Sequence, residues 1–210
     1  MQNNVDNIGE KKFKTIITQS KEEIESHEFK STMLCCDPAG TRNKGNTSDY
    51  YAFIVGSSSE NDIKYVRKGQ VFKYEYEDYI EHVLELLKEY TDITHVYIEK
   101  NTYGGADVLE LQKRVSEDNK LKHRNITWIN EHQNKNKDDK INTVVSKVNL
   151  GQIVFNEEDT EAIQQLRDFA GCLYSLHDDF PDILAEFANR IDNIKTISKI
   201  QVFDRKLLGL

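Results

Sequence analysis

The chain has 210 residues, 38% of them hydrophobic and 30% charged, with a formal net charge of −8 at pH 7. That size and balance fit one domain with a sizeable core, and no apolar run approaches the length needed to span a bilayer. Three cysteines, two of them adjacent in an apolar stretch, do not make a disulfide framework, and the absence of paired Cys or His spacing argues against zinc. The cysteines read as reduced and buried, in a cytosolic setting. Residues 1–30 are polar and contain no signal-peptide core.

The negative charge is concentrated. Residues 157–192 hold ten acids and two bases, a net of −8 that accounts for the whole deficit. Residues 64–73 hold four bases and no acids, and residues 120–147 hold seven bases against three acids. An acidic centre flanked by basic segments suits an enzyme that binds metal at the centre and phosphate at its flanks. Ordinary solvated charge explains the same pattern equally well until motifs are considered.

In chain order, residues 1–30 read as a polar lead-in or linker remnant, with a weak helix near residues 20–27 where Ser20 and Glu23 have capping-box spacing. Residues 32–36 read as a strand, 41–48 as a polar loop, 50–55 as a second strand, 57–62 as a turn and 63–72 as a third strand, together an antiparallel meander. Residues 77–90 place Ile80, Val83, Leu84 and Leu87 at helical spacing. A strand follows at 94–98, a helix at 105–117, a short strand at 126–129 and a helix at 138–150, which Gly151 ends as a C′ glycine. Residues 153–155 are short and extended. Helices are expected at 160–170 and 181–193, with Pro181 in the first turn of the latter, where it loses no hydrogen bond. Residues 195–210 carry no strong signal. The folded unit is placed at residues 31–195, with 196–210 as a tail. This order predicts an α/β fold: a mixed sheet, made of the meander plus parallel strands, with helices on both faces. It is the order of the ribonuclease H-like fold.

Two apolar strands end on acids, Leu34-Cys35-Cys36-Asp37 and Val96-Tyr97-Ile98-Glu99. A third acid group, His177-Asp178-Asp179-Phe180-Pro181-Asp182, opens a helix. Carboxylates converging from rigid elements suit hard divalent cations, Mg2+ or Mn2+, and two such ions support phosphodiester hydrolysis. Asp37 would be central and Glu99 its neighbour if the two strands pair. Asp179 and Asp182, three apart, face one side of the helix start, and Asp178 points elsewhere. Taken singly, each acid is also an ordinary turn or cap residue. Lys140 reads either as a phosphate contact or as a surface lysine. Arg42 and Lys44 lie in the loop after Asp37 and are candidates to lie against DNA. Lys135, Lys137, Arg67, Lys68 and Lys73 are weaker candidates for tracking a phosphate backbone.

The sequence resembles the C-terminal nuclease domain of tailed-phage terminase large subunits. The matching residues are Asp37-Pro38-Ala39-Gly40 with Ser48-Asp49-Tyr50; Ile98-Glu99-Lys100-Asn101 with Gly104-Gly105; Lys140-Ile141; and Gly151-Gln152-Ile153-Val154-Phe155. To these are added Gln165-Leu166 with Phe169, and the stretch from His177 to Ala185, the most specific of the set. The resemblance implies a metal-dependent endonuclease that cuts concatemeric viral double-stranded DNA in the cytoplasm of an infected bacterium, leaving a 5′-phosphate and a 3′-hydroxyl. It places Asp37, Glu99 and Asp179 at the family's catalytic and metal-binding carboxylates, ranks Asp182 next, and leaves Asp178, His177 and Asp49 as secondary. It implies an ATPase domain, a small terminase subunit and a portal as partners in the full-length protein, and no membrane. The chain has no Gly-x-x-x-x-Gly-Lys-Ser/Thr P-loop, so the ATPase motor is expected to lie outside it. The competing expectations are another nuclease of the same fold, such as a resolvase, and a non-catalytic DNA- or portal-docking module.

Overall fold

The computed structural model describes residues 9–38, 50–100, 103–133 and 136–194. Its centre is a seven-stranded mixed sheet. The strands are β1 (Ile17–Gln19), β2 (Phe29–Asp37), β3 (Tyr51–Ser59), β4 (Lys64–Phe72), β5 (His95–Glu99), β6 (Thr127–Glu131) and β7 (Ile153–Asn156), in the spatial order β1-β7-β4-β3-β2-β5-β6. The three long strands β2, β3 and β4 form the expected antiparallel meander, while β5 joins β2, β6 joins β5 and β7 joins β4, all in parallel. This is the predicted mixed α/β sheet.

Two segments do more than their sequence announces. Residues 153–156 become an internal strand between β4 and β1. The polar segment ahead of residue 31, read as a lead-in, supplies the parallel edge strand β1 and the short helix α1 (Lys21–Glu25), whose Ser20–Glu23 capping box is formed. Phe13 and Ile24 from this segment are buried at 4% and 0% exposure. A strand of three residues has too few positions to show a period of two, so it leaves no readable pattern. Strand β2 also starts three residues earlier than its apolar run, and β3 continues through Ser57, Ser58 and Ser59, because ladder pairing to β2 covers these polar residues.

Helices cover both faces. Leu34, Cys36, Tyr51, Phe53, Val55, Val96 and Ile98 point to the face covered by α2 (Tyr76–Glu89) and α3 (Ala106–Glu117). Met33, Cys35, Ala52, Ile54 and Tyr97 point to the other face, under α4 (Lys137–Asn149), α5 (Thr160–Asp168) and α6 (Asp179–Arg190). The α6 helix is buried all round from Phe180 to Ala188, because it lies between the sheet and the other two helices.

Two strand glycines let α6 come close. A Cβ on Gly56 would lie 2.3 Å from the Phe187 ring, and one on Gly69 would lie 2.7 Å from the Phe180 ring. Both rings are fully buried. The first turn of α6 is tied down further by Gln165 of α5, whose side-chain oxygen accepts the Phe180 N–H at 2.9 Å.

Candidate metal centre

The alternation of β2 and β5 decides where their terminal acids point. Cys35 and Tyr97 face α6, and Asp37 and Glu99, two residues on, face the same way. The parallel register pairs Cys36 with Ile98, so the two carboxylates sit side by side at the carboxyl ends of neighbouring strands. From the opposite side, α6 contributes Asp182. One carboxylate oxygen from each of Asp37, Glu99 and Asp182 lies within 4.8 Å of the other two. Glu99 and Asp182 are buried and Asp37 is half-buried.

Gathering three acids out of water disfavours their charged forms. Burial pushes Asp37 well above the ordinary carboxylate range, and the charges of Glu99, Asp182 and Asp179 push it further, against a partial offset from Lys137. Burial also raises Glu99 and Asp182, with Lys137 and Lys140 opposing the rise at both. An all-oxygen donor set whose members repel one another is the kind of site a hard divalent cation relieves. The residues present therefore fit Mg2+ or Mn2+.

The three acids and the histidine of the α6 motif divide by position. Asp182 enters the cluster. Asp179, the first residue of α6 and ranked ahead of Asp182 from sequence, is half-buried beside it, where its charge contributes to the rise at Asp37. Asp178 is the N-cap position and accepts an ion pair from Lys137 Nζ at 2.7 Å. His177 packs edge-on against Tyr50, ring centroids 4.9 Å apart. Arg42, Lys44, Asp49 and Lys135 lie outside the described residues.

Lys140 is not a surface lysine. It is 5% exposed, with Nζ 2.6 Å from Asp182 Oδ1 and 3.1 Å from Glu186 Oε1. Asp182 and Glu186 outweigh the burial that opposes its charge and hold Lys140 above the usual lysine range. Lys137, one turn earlier on α4, spans Asp178 and Asp182 Oδ2, the latter at 3.6 Å. Arg67, a candidate for tracking DNA, is instead buried and held by Glu25 at 2.6 Å and Asp92 at 2.5 Å. Lys68 pairs with Glu89 at 3.3 Å.

Sequence reading missed the layer behind the acids. Glu186, 4% exposed, accepts from Lys140, from Gln133 and from Arg190 Nε at 2.8 Å. Arg190 continues to Glu131 at 3.0 Å and stacks over the Tyr97 ring at 3.9 Å. A signal was present: Asp182, Glu186 and Arg190 repeat every four residues through an otherwise apolar helix, and charges in a buried stripe must be paired. The glycines after Glu99 also gain a reason. Gly104 and Gly105 have φ of 61° and 97°, and a Cβ on Gly105 would meet Asn130 Oδ1 at 2.8 Å.

No protein-family model matches the sequence, and no curated protein matches it. Solved structures do match. The terminase nuclease domain of human cytomegalovirus, manganese-soaked and inhibitor-bound, aligns at a TM-score of 0.59 with 14% identity, over 85% of this chain and 95% of that one. The large terminase of the thermophilic bacteriophage D6E aligns at 0.58 with 12% identity, over 88% of this chain and 45% of that one. A mutant gp2c of the large terminase subunit from bacteriophage sf6, with calcium, aligns at 0.56 with 11% identity, over 86% of this chain and 98% of that one. The chain thus spans less than half of the D6E protein and nearly the full length of the two separate domains. It carries the ribonuclease H-like fold of the terminase nuclease domains.

Proposed function

We propose that the chain is a divalent-metal-dependent DNA endonuclease, the nuclease domain of a phage DNA-packaging terminase large subunit, which cuts concatemeric viral double-stranded DNA. The observation that carries this reading is the convergence of Asp37, Glu99 and Asp182 within 4.8 Å, at two strand ends and one helix start, in that fold. Manganese and calcium accompany the cytomegalovirus and sf6 proteins of the same fold, which supports a divalent ion here.

Asp37, Glu99 and Asp182 would hold Mg2+ or Mn2+, as one ion or two, with Asp179 and Asp178 at the rim. A divalent ion in that place lowers the pKa of water and stabilises charge on phosphate oxygens. The protein's own part is positional. Lys140, clamped between Asp182 and Glu186, fixes the Asp182 side chain so that it faces Asp37. Lys137 is more open, with its side chain 37% exposed, and can pass from Asp178 to an incoming phosphate. Arg42 and Lys44, which follow Asp37 in the sequence, are further candidates to contact the phosphate backbone. Hydrolysis leaves a 5′-phosphate and a 3′-hydroxyl. In this reading the ATPase motor, the small terminase subunit and the portal deliver the DNA, in the host cytoplasm. Among the described residues no helix is long and apolar enough to cross a membrane.

The test is supercoiled plasmid incubated with the protein in Mn2+, Mg2+ or EDTA, beside an Asp37→Ala variant, with calorimetric Mn2+ titration of both proteins. Nicking and linearisation only with metal, lost in the variant together with Mn2+ binding, is the expected result. Binding of DNA without cleavage, and no Mn2+ uptake, would leave a docking module instead.

A further inference from the structure

At the end of the sheet away from the carboxylates, a cleft of about 710 Å3 opens between the start of β2, the turn from β3 to β4 and the last turn of α4. That volume lies in the range of small-molecule sites. Lys30 and Ser31 of β2, Ser58 of β3, Lys64 of β4 and Lys147 of α4 line it. Asp192 does so as well, from the short 3-10 turn Ile191–Asn193 that follows α6. Ser31 and Asp37 lie six residues apart on one strand, which sets the cleft about 20 Å from the carboxylate cluster.

The strands bring these cations together. Successive strand residues point to opposite faces, yet Lys30 and Ser31 line the same cleft. The β2–β3 register slips between Phe29 and Ser31, so Lys30 is the extra residue of a bulge, a device that re-aims a side chain. Lys64 lies opposite Ser58 in the β3–β4 ladder and is only 5% exposed. An ammonium group that deep needs an anion beside it. Asp192 Oδ1 lies 2.8 Å from Lys64 Nζ, and Lys147 Nζ reaches Oδ2 of the same carboxylate at 3.9 Å. One carboxylate therefore serves two ammonium groups. Three lysines face two acids, Asp192 and Asp62, a net of +1 in a chain of net −8. The hydroxyls of Ser31 and Ser58 share one hydrogen bond at 2.7 Å, which uses one of their two protons and leaves the other to donate. Asp62 is exposed and the Asp192 side chain is 49% exposed, so both acids can turn to water, while Lys64 cannot. A phosphate group offers more charge and more acceptor oxygens than a carboxylate, so it can meet Lys64, Lys147 and the spare hydroxyl together. A duplex with a phosphate on the carboxylates lies across the opposite end of the sheet, so the occupant is small.

We infer that this cleft binds a small oligophosphate, free or as the tail of a nucleotide, on Lys64, Lys147 and Lys30, in the place that the Asp192 carboxylate now takes. The inference does not depend on the nuclease reading.

The test is calorimetric titration of the full chain with pyrophosphate and with ATP, in EDTA so that no metal bridges a phosphate to the carboxylate cluster. Wild type should bind pyrophosphate, and a Lys30→Ala/Lys147→Ala variant should bind it at least about tenfold more weakly. Neither lysine is buried, so an unchanged melting temperature shows that the variant is folded. Asp192→Asn removes the internal competitor and should tighten pyrophosphate binding by about three- to tenfold. Glu161→Gln, which removes the same charge outside the cleft, should stay within about twofold of wild type. Equal affinity for the two ligands assigns the site to the oligophosphate group itself, and tighter ATP binding assigns it to a nucleotide; either upholds the inference. No binding of either ligand overturns it, as does a lysine variant or an Asp192→Asn protein that binds like wild type. A short DNA duplex that displaces pyrophosphate assigns the cleft to the DNA path and overturns the small ligand. Metal-dependent cleavage is read separately by the plasmid assay, so neither reading falls with the other.

Discussion

Replacing Gly56 with alanine should loosen the helix that carries Asp182 without touching any acid. Gly56 lies in β3 under Phe187, and an added Cβ would stand 2.3 Å and 2.4 Å from two atoms of that ring. Ordinary carbon contacts are about 3.5–4.0 Å, so the ring or its helix must retreat by more than about 1 Å. Phe187 is fully buried within the core and has no free space to swing into, so α6 itself has to lift. Overpacking of this kind costs about 1–3 kcal/mol. Removing a glycine from a strand returns about 0.5–1 kcal/mol. The net loss centres on about 1 kcal/mol, or roughly 2–4 °C in melting temperature for a chain of this size. Because Asp182 rides on the same helix, Mn2+ affinity should fall as well. Combining Gly56→Ala with Phe187→Leu trims the clashing ring, so the double variant should be more stable than the sum of the single changes requires. Urea unfolding and Mn2+ calorimetry on the four proteins of that cycle measure both effects. If Gly56→Ala proves neutral or stabilising and leaves Mn2+ binding alone, the close approach does not position the site.

Two further outcomes follow from the buried charges. Lys140→Met leaves Asp182 and Glu186 buried without their shared cation, and breaking such a pair should cost about 3–5 kcal/mol in urea unfolding at pH 8, with part of it recovered by adding Glu186→Gln; a loss below about 1 kcal/mol would show that the lysine is dispensable. Burial pushes the Asp159 carboxyl up to about 7, although it accepts the Gly69 N–H at 2.5 Å. A folded pKa above the ordinary 3.8 gives stability that is complete below that value and is lost as pH rises through about 7, so Asp159→Asn should gain on wild type in melting temperature between pH 4 and pH 8. Parallel melting profiles for the two proteins would contradict it.

Much of the architecture was legible because long amphipathic elements write their period into the sequence. Leu34 and Cys36 against Met33 and Cys35, and Ile80, Val83, Leu84 and Leu87 along α2, report which face is covered. The strand-end positions of Asp37 and Glu99 were legible for the same reason, since an apolar run ending on an acid fixes both the element and its terminus. The edge strand β1 was not, because its stability comes from β7, a strand more than a hundred residues away, and not from its own three residues. Arg67 and Lys140 read as phosphate contacts or solvated surface bases because one sequence cannot show that Glu25, Asp92, Asp182 and Glu186 fold around them.

The order of Asp179 and Asp182 depends on a contact of that long-range kind. Their spacing puts both at the start of one helix on neighbouring positions, and no local rule says which of them reaches across to Asp37. The choice is made by the rotation of α6 about its own axis. Phe180 seats against Gly69, Phe187 against Gly56, and Gln165 of α5 takes the Phe180 N–H, which together leave one rotation open. With the helix set that way, Asp182 points inward to Asp37 and Glu99, Glu186 falls one turn behind it onto Lys140, and Arg190 a turn further onto Tyr97. The two glycines, which carry no chemistry, therefore decide which carboxylate enters the cluster. That is why a methyl group on Gly56 is a sharper probe of the site's construction than the removal of any one acid.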